Sequence, residues 1–171
     1  VTEGVRGEGG VLQNSEGKRF MFDYVPDMYK DEFADTEEEA REWVDEIVEG
    51  KLATVRRPPE LLTRDVVAKA INSEKDAGRA SVHGGAYLDI SWRDPEQVKK
   101  KLPGMYHQFK ELAAVDITVE RMEVGPTAHY VMGGIKVNSE TQETTISRMF
   151  AAGEAATGLH GANRLGGNSL S

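Results

Sequence analysis

Three groups of residues have the types and spacing to do chemistry on an anion. Arg64 follows Thr63 in LLTRDVVAKAI, at what reads as the first position of a helix. A cation there opposes the helix dipole by roughly 0.3–1 kcal/mol. A helix N-terminus beside a guanidinium is nevertheless a good receptor for a carboxylate. Glu3 and Arg6 stand three apart in TEGVRGEGG, whose glycines leave room for close backbone approach. The third group is Gly153-Glu154 and the segment GLHGANRLGGNSLS that ends the chain. Five glycines fall between 153 and 167, and Asn168 and Ser169 could open a helix whose N–H groups face an anion or cofactor. This run lacks the GxGxxG spacing of a first βα dinucleotide turn. His129 follows Gly125-Pro126-Thr127-Ala128, while His83, His107 and His160 show no metal-ligand spacing, so no metal is expected. Each group also has an ordinary reading: a solvated arginine, a weak ion pair in a surface loop, a glycine-rich loop, a packed or surface histidine. The residues by themselves leave both readings open.

The elements that must position these groups are partly legible. Residues 1–10 are glycine-rich and charged, and read as a loop. Val11–Leu12 and Arg19–Phe22 flank Ser15-Glu16-Gly17, which predicts a hairpin. Residues 26–35 read as an acidic loop. Thr36-Glu37-Glu38-Glu39 is a capping-box pattern, and Ala40, Val44, Ile47 and Val48 follow at helical spacing. With Gly50 as a stop, they predict a helix over 36–49 whose carboxylates form a solvated face. After the break at Pro58-Pro59, Thr63 reads as an N-cap, with Leu62 and Val67 placed as a hydrophobic staple. Val66, Val67, Ala70 and Ile71 give the buried stripe of a helix over about 64–77. Ala86 to Trp92 reads as a strand, and Asp94-Pro95 as a strong helix start. Pro103-Gly104 reads as an interruption before a helix over 105–114. Val119–Val124, Gly134–Val137 and Met149–Ala151 are strand candidates. The fold class expected is α+β, helices packed with short strands.

Composition narrows the function classes. Of 171 residues, 21 are Lys or Arg and 29 are Asp or Glu, a net charge of −8. That balance argues against a general nucleic-acid binder and against a polybasic membrane anchor. Local basic sites for a small anion stay open. Cysteine is absent, which excludes disulfides, thiolate metal sites and Cys nucleophiles and fits a reducing compartment. The longest apolar runs are four residues, Leu112–Val115 and Met149–Ala152, so no transmembrane helix or signal peptide is read.

Taken together, TEGVRGEGG, LLTRDVVAKAI, GPTAHYVMGGI and AAGEAATGLHGANRLGGNSL, in this order, resemble the flavoprotein subunit of succinate dehydrogenase and fumarate reductase across essentially the whole chain. The resemblance implies a middle section of a longer subunit. Residues 1–10 would flank from the FAD domain, 11–124 would be the mobile capping domain, and 125–171 part of the return into the FAD domain. Carried across residue by residue, Thr2, His129 and Arg164 are implied as ligands of the substrate carboxylates. Arg64 is implied as the group that gives or takes a proton, and Glu3 and Arg6 as its relay to solvent. Glu154 is implied as a ribose contact of FAD, and Asn168, Ser169 and Leu170 as contacts near the flavin and its phosphates. The implied reaction interconverts succinate and fumarate by hydride exchange with FAD. The fragment alone would be inactive and would not retain FAD, because the Rossmann-type half is missing from it. Partners implied are an iron–sulfur subunit with membrane-anchor subunits, and the implied location is cytoplasmic or peripheral on the inner face of the membrane through them. L-aspartate oxidase is the near alternative, although PTAHY and NRLGGNSL stand here where that enzyme more often reads PAAHY and NRMASNSL. A non-catalytic acidic interaction domain is the alternative of another class, and it predicts that Arg64, His129 and Arg164 lie apart and face water.

Overall fold

A computed structural model describes residues 2–128 and 133–158. The chain forms two compact units, Val1–Pro126 and Thr127–Ser171. The first is α+β. Its elements run α1 (Thr2–Gly7), β1 (Val11–Gln13), α2 (Glu37–Val48), α3 (Arg64–Asp76), β2 (Ala86–Asp89), α4 (Pro95–Lys101), α5 (Pro103–Ala113) and β3 (Met122–Val124), with 3-10 turns at Phe20–Tyr24, Asp27–Tyr29 and Pro59–Leu61.

The sheet is antiparallel with β2 in the middle. Leu12, Leu88 and Met122 share one register row, and all three are buried. Period-2 alternation puts that row on the covered face, as it does Ala86. Phe20 and Met21 from the 3-10 turn, Val67, Ala70 and Ile71 from α3, and Ile90 and Ile117 complete this core. At the end of β2 the backbone is too close for a side chain. A Cβ on Gly85 would sit 2.1 Å from the Val124 carbonyl oxygen. Gly85→Ala is therefore expected to push β3 off β2 and cost ~1–3 kcal/mol of stability, measured by urea unfolding.

A second buried feature is polar. Glu74, on α3, accepts from Asn14 Nδ2 at 2.8 Å, Tyr24 O–H at 2.8 Å, and Arg79 Nε and Nη2 at 2.8 and 2.7 Å. One carboxylate thus ties the end of β1, the turn at Phe20–Tyr24 and the exit of α3. The Arg79 fork holds its pKa down at about 2, below the usual 4.5. A depressed carboxylate contributes stability that is present above the unfolded value and lost as pH falls through the folded one. Stability should fall between pH 4.5 and about 2, and Glu74→Gln should flatten that part of the unfolding curve.

The local signals for helix starts hold well. Thr36 caps α2 by accepting the Glu39 N–H, and Asp94 caps α4 by accepting the Gln97 N–H at 3.0 Å. Several expectations are corrected. Residues 2–7 are helix, not loop, because Val5 packs into the core and draws the turn with it. Thr63 starts α3 but makes no side-chain cap hydrogen bond. Ile47 on α2 is 41% exposed, so the buried stripe there is Ala40 and Val44. The predicted hairpin shrinks to one bridge, Gln13 with Arg19, since β1 pairs with β2 and Phe20–Tyr24 coils to bury Phe20 and Met21. The acidic stretch 26–35 holds the 3-10 turn Asp27–Tyr29. Pro103 begins α5 rather than interrupting before it, as its fixed φ suits the first helical turn. β3 starts at Met122, because Asp116 turns the chain back on itself by accepting from the Thr118 N–H and hydroxyl.

The second unit is held by single bridges: Ile135 with Ala156, Val137 with Thr144, and Glu143 with Phe150. The candidates at 134–137 and 149–151 are thus bridges, not strands. Turns intervene: the Asn138 side chain accepts from the N–H of Glu140 and Thr141, and Gln142 and Arg148 take positive φ of 61° and 65°. Gly153–Ala155 forms a 3-10 turn.

Candidate active site

α3 places Arg64 at its first residue, with the guanidinium half-exposed. Its partner comes from the start of the unit. Glu3, on α1, accepts from Arg64 Nε at 3.1 Å and from Arg64 Nη2. The unfavourable cation at a helix start is thereby matched by a carboxylate from a second helix. The Arg64 hydrogen bonds, foremost, keep the Glu3 carboxyl below its ordinary range.

Arg6 lies one turn along α1 and is 5% exposed. Its Nη1 donates to the carbonyl oxygen of Glu60, and its Nε has no acceptor among the described residues. Burial, as the largest cause, lowers the Arg6 pKa, while the nearby Glu3 and Glu60 carboxylates act the other way. Arg64 adds a repulsive contribution. The sequence pairing of Glu3 with Arg6 as a weak surface ion pair is thus corrected: the hydrogen bonds of Glu3 go to Arg64, and those of Arg6 go inward.

The group beneath Arg6 escaped sequence reading. Glu60 is fully buried in the turn Pro59–Leu61, on which α1 packs. Its carboxylate is forked by Arg19 Nε and Nη2, both at 2.7 Å, and also accepts from the Leu12 N–H at 3.4 Å. Arg19 stacks over the Phe22 ring, 4.9 Å from its centroid. A bidentate guanidinium–carboxylate pair is the form in which such charges survive burial. The only sequence hint is a glutamate directly after Pro58-Pro59, and nothing near it in the chain marks Arg19 as its partner.

The other candidates divide by position. Thr2 is the first residue of α1, and its side chain lies outside the described residues, as do His129, Arg164, Asn168, Ser169 and Leu170. Glu154 is the middle residue of the turn Gly153–Ala155, with its side chain exposed. It makes no ion pair among the described residues. An exposed carboxylate is an acceptor suited to ribose hydroxyls.

Residues 1–170 match the family described as FAD binding domain. The chain belongs to the FAD binding domain family. Among its curated relatives is a component of the fumarate reductase (CoM/CoB) of Methanothermobacter marburgensis, 45% identical over 170 residues, which cover 99% of this chain and 25% of that one. The mitochondrial succinate dehydrogenase [ubiquinone] flavoprotein subunit of Oryza sativa subsp. japonica is 36% identical, with 99% and 24% covered. L-aspartate oxidase of Synechocystis is 37% identical, with 99% and 25% covered. In solved structures, Mycobacterium smegmatis Sdh1 in complex with UQ1 matches with a TM-score of 0.69 at 54% identity, over 99% of this chain and 23% of that one. E. coli quinol fumarate reductase matches at 0.73 and 36%, over 99% and 26%. The chain therefore spans about a quarter of the length of these FAD binding domain relatives. No helix among the described residues is long and apolar enough to cross a membrane.

Proposed function

We propose that this chain is a section of an FAD-dependent flavoprotein subunit that interconverts succinate and fumarate, with Arg64 as the group that moves the proton. The observation that carries the reading is the Glu3–Arg64 pair at the start of α3 with Arg6 buried beside it. Residues 1–10 and 125–171 belong to the FAD domain and 11–124 to a capping domain on this reading.

The residues present suit the cofactor. Glu154 offers an acceptor for its ribose, and Asn168, Ser169 and Leu170 would lie near the flavin and phosphates. When bound, FAD would supply the two-electron chemistry, as the acceptor or donor of a hydride. Thr2, His129 and Arg164 hold the two substrate carboxylates, a dianion that needs cations and donors at both ends. Arg64 exchanges a proton with the neighbouring carbon. An arginine is a weak acid, so it needs a partner that can take and return its proton. Glu3 is bonded to it and meets solvent, with Arg6, buried beside the pair, as the other member of the relay. Fumarate reduction consumes one hydride and one proton, and succinate oxidation releases both. The flavoprotein works with an iron–sulfur subunit plus membrane-anchor subunits, and sits at the membrane peripherally through them.

The test is an assay of the full-length protein with FAD, measuring succinate oxidation with an artificial electron acceptor beside aspartate oxidation. Turnover of succinate alone is expected. Turnover of aspartate instead moves the protein to the oxidase branch, which the 37% identity to L-aspartate oxidase makes the second reading.

A further inference from the structure

We infer that Glu60 and Arg19 are positioning residues for the proton relay: their buried fork fixes the backbone carbonyl on which Arg6 hangs, and so fixes Arg6 behind Glu3 and Arg64. The inference rests on the succinate–fumarate reading above and extends it to two residues outside the relay itself.

Three observations carry it. Arg6 is buried, and the hydrogen bond that anchors its guanidinium goes to a single atom, the carbonyl oxygen of Glu60. That carbonyl belongs to the middle residue of a three-residue turn, and the side chain of the same residue is immobilised by two 2.7 Å bonds from Arg19 and one from the Leu12 N–H. The same turn leads to Arg64 four residues later, so one short segment sets both ends of the relay. The charges facing Arg6 are Glu3 on α1, Arg64 on α3 and Glu60 on the turn. Those facing Glu60 are Arg6 and Arg19. Two carboxylates therefore balance three guanidinium groups in this cluster, and Glu60 supplies one of the two. Without it, Arg6 keeps only Glu3 as a counter-charge, and Glu3 is already bonded to Arg64.

A merely structural pair would behave differently from a positioning one. Loss of packing lowers the amount of folded, FAD-loaded enzyme without changing what each loaded molecule does. Loss of position slows the proton step in every molecule. The experiment compares the full-length flavoprotein with its Glu60→Gln and Glu60→Asp variants, with turnover of succinate normalised to bound FAD and repeated in deuterium oxide. Gln keeps the shape and an acceptor for Arg19 but removes the charge; Asp keeps the charge. For Glu60→Gln the expected result is a kcat per FAD about tenfold lower, a fraction of the 10²–10⁴ carried by proton transfer as a whole. The KM for succinate should hold, and the solvent isotope effect on kcat should rise as the proton step becomes limiting. Glu60→Asp should recover most of kcat and return the isotope effect toward that of the parent. A Glu60→Gln protein with parental kcat per FAD and an unchanged isotope effect overturns the positioning role. If the parent protein itself turns over no succinate, the dicarboxylate reading fails, and the relay with it.

Discussion

Arg64→Ala in the full-length flavoprotein is expected to lower kcat by about 10²–10⁴-fold, the range for loss of a positioned acid or base. FAD content and dicarboxylate affinity should change little. The structure gives the reason for that separation. The Arg64 side chain is half-exposed, and its hydrogen bonds within the described residues go to Glu3, itself on the surface. Removing such a group leaves the core of α3, Val67, Ala70 and Ile71, untouched. It also relieves a cation at a helix start, which returns a few tenths of a kcal/mol. A loss of rate without a loss of fold is thus the expected outcome. Arg64→Lys should not rescue it, because an ammonium cannot reproduce the paired Nε and Nη2 donation to Glu3. Steady-state kinetics with bound FAD measured in the same samples check this, and near-parental kcat in Arg64→Ala would remove Arg64 from the mechanism.

Arg19→Ala is expected to be the most damaging change to stability. It leaves the fully buried Glu60 carboxylate without its fork, and breaking such a pair from one side costs about 3–5 kcal/mol. It also removes the cation stacked on Phe22. The second half of the expectation distinguishes a lost pair from a lost volume. Arg19→Met combined with Glu60→Met removes both charges and keeps much of the bulk, so it should recover most of the stability. The double variant should still be slow, since the carbonyl that holds Arg6 has lost the fork that steadied it. Denaturant unfolding of the single and double variants measures the coupling, and additive losses would show that the two residues do not act as a pair.

What could be read from the sequence was what is decided within a few residues. Thr36 with Glu39, and Asp94 with Pro95, announce helix starts because the cap and its acceptor lie within one turn. The same locality marks Arg64 as a cation at a helix start, where the dipole disfavours it. Pairings across the chain were not legible. β1 looked set to pair with the segment after its own turn, yet its partner is Leu88, and only the burial of Leu12, Leu88 and Met122 in one row selects it. Glu60 and Arg19 are 41 residues apart, and neither carries a pattern that names the other. The strand candidates at 134–137 and 149–151 had suitable residues, but strand length depends on neighbours, and here turns at Asn138 and Arg148 limit each contact to one bridge. The family resemblance implies a role for Arg6, whose burial no local rule suggests.

The sequence span of the Glu3–Arg64 and Arg6–Glu60 contacts bears on how the first unit folds. Glu3 and Arg64 are 61 residues apart, and Arg6 and Glu60 are 54 apart. Each contact closes nearly the same large loop, and that loop contains β1, α2 and the turns around Phe20 and Pro59. Closing a loop of this size carries an entropic cost that must be met by non-local contacts formed together, which makes such contacts slow to appear in folding. Val5 entering the core and Arg6 reaching the Glu60 carbonyl are one event at one end of α1. A chain that has folded α2 and α3 but not docked its first seven residues therefore has Arg64 in place and no partner for it. On the proposed reading, the Glu3–Arg64 pair on which proton exchange depends is complete only when the first seven residues have docked on the first unit.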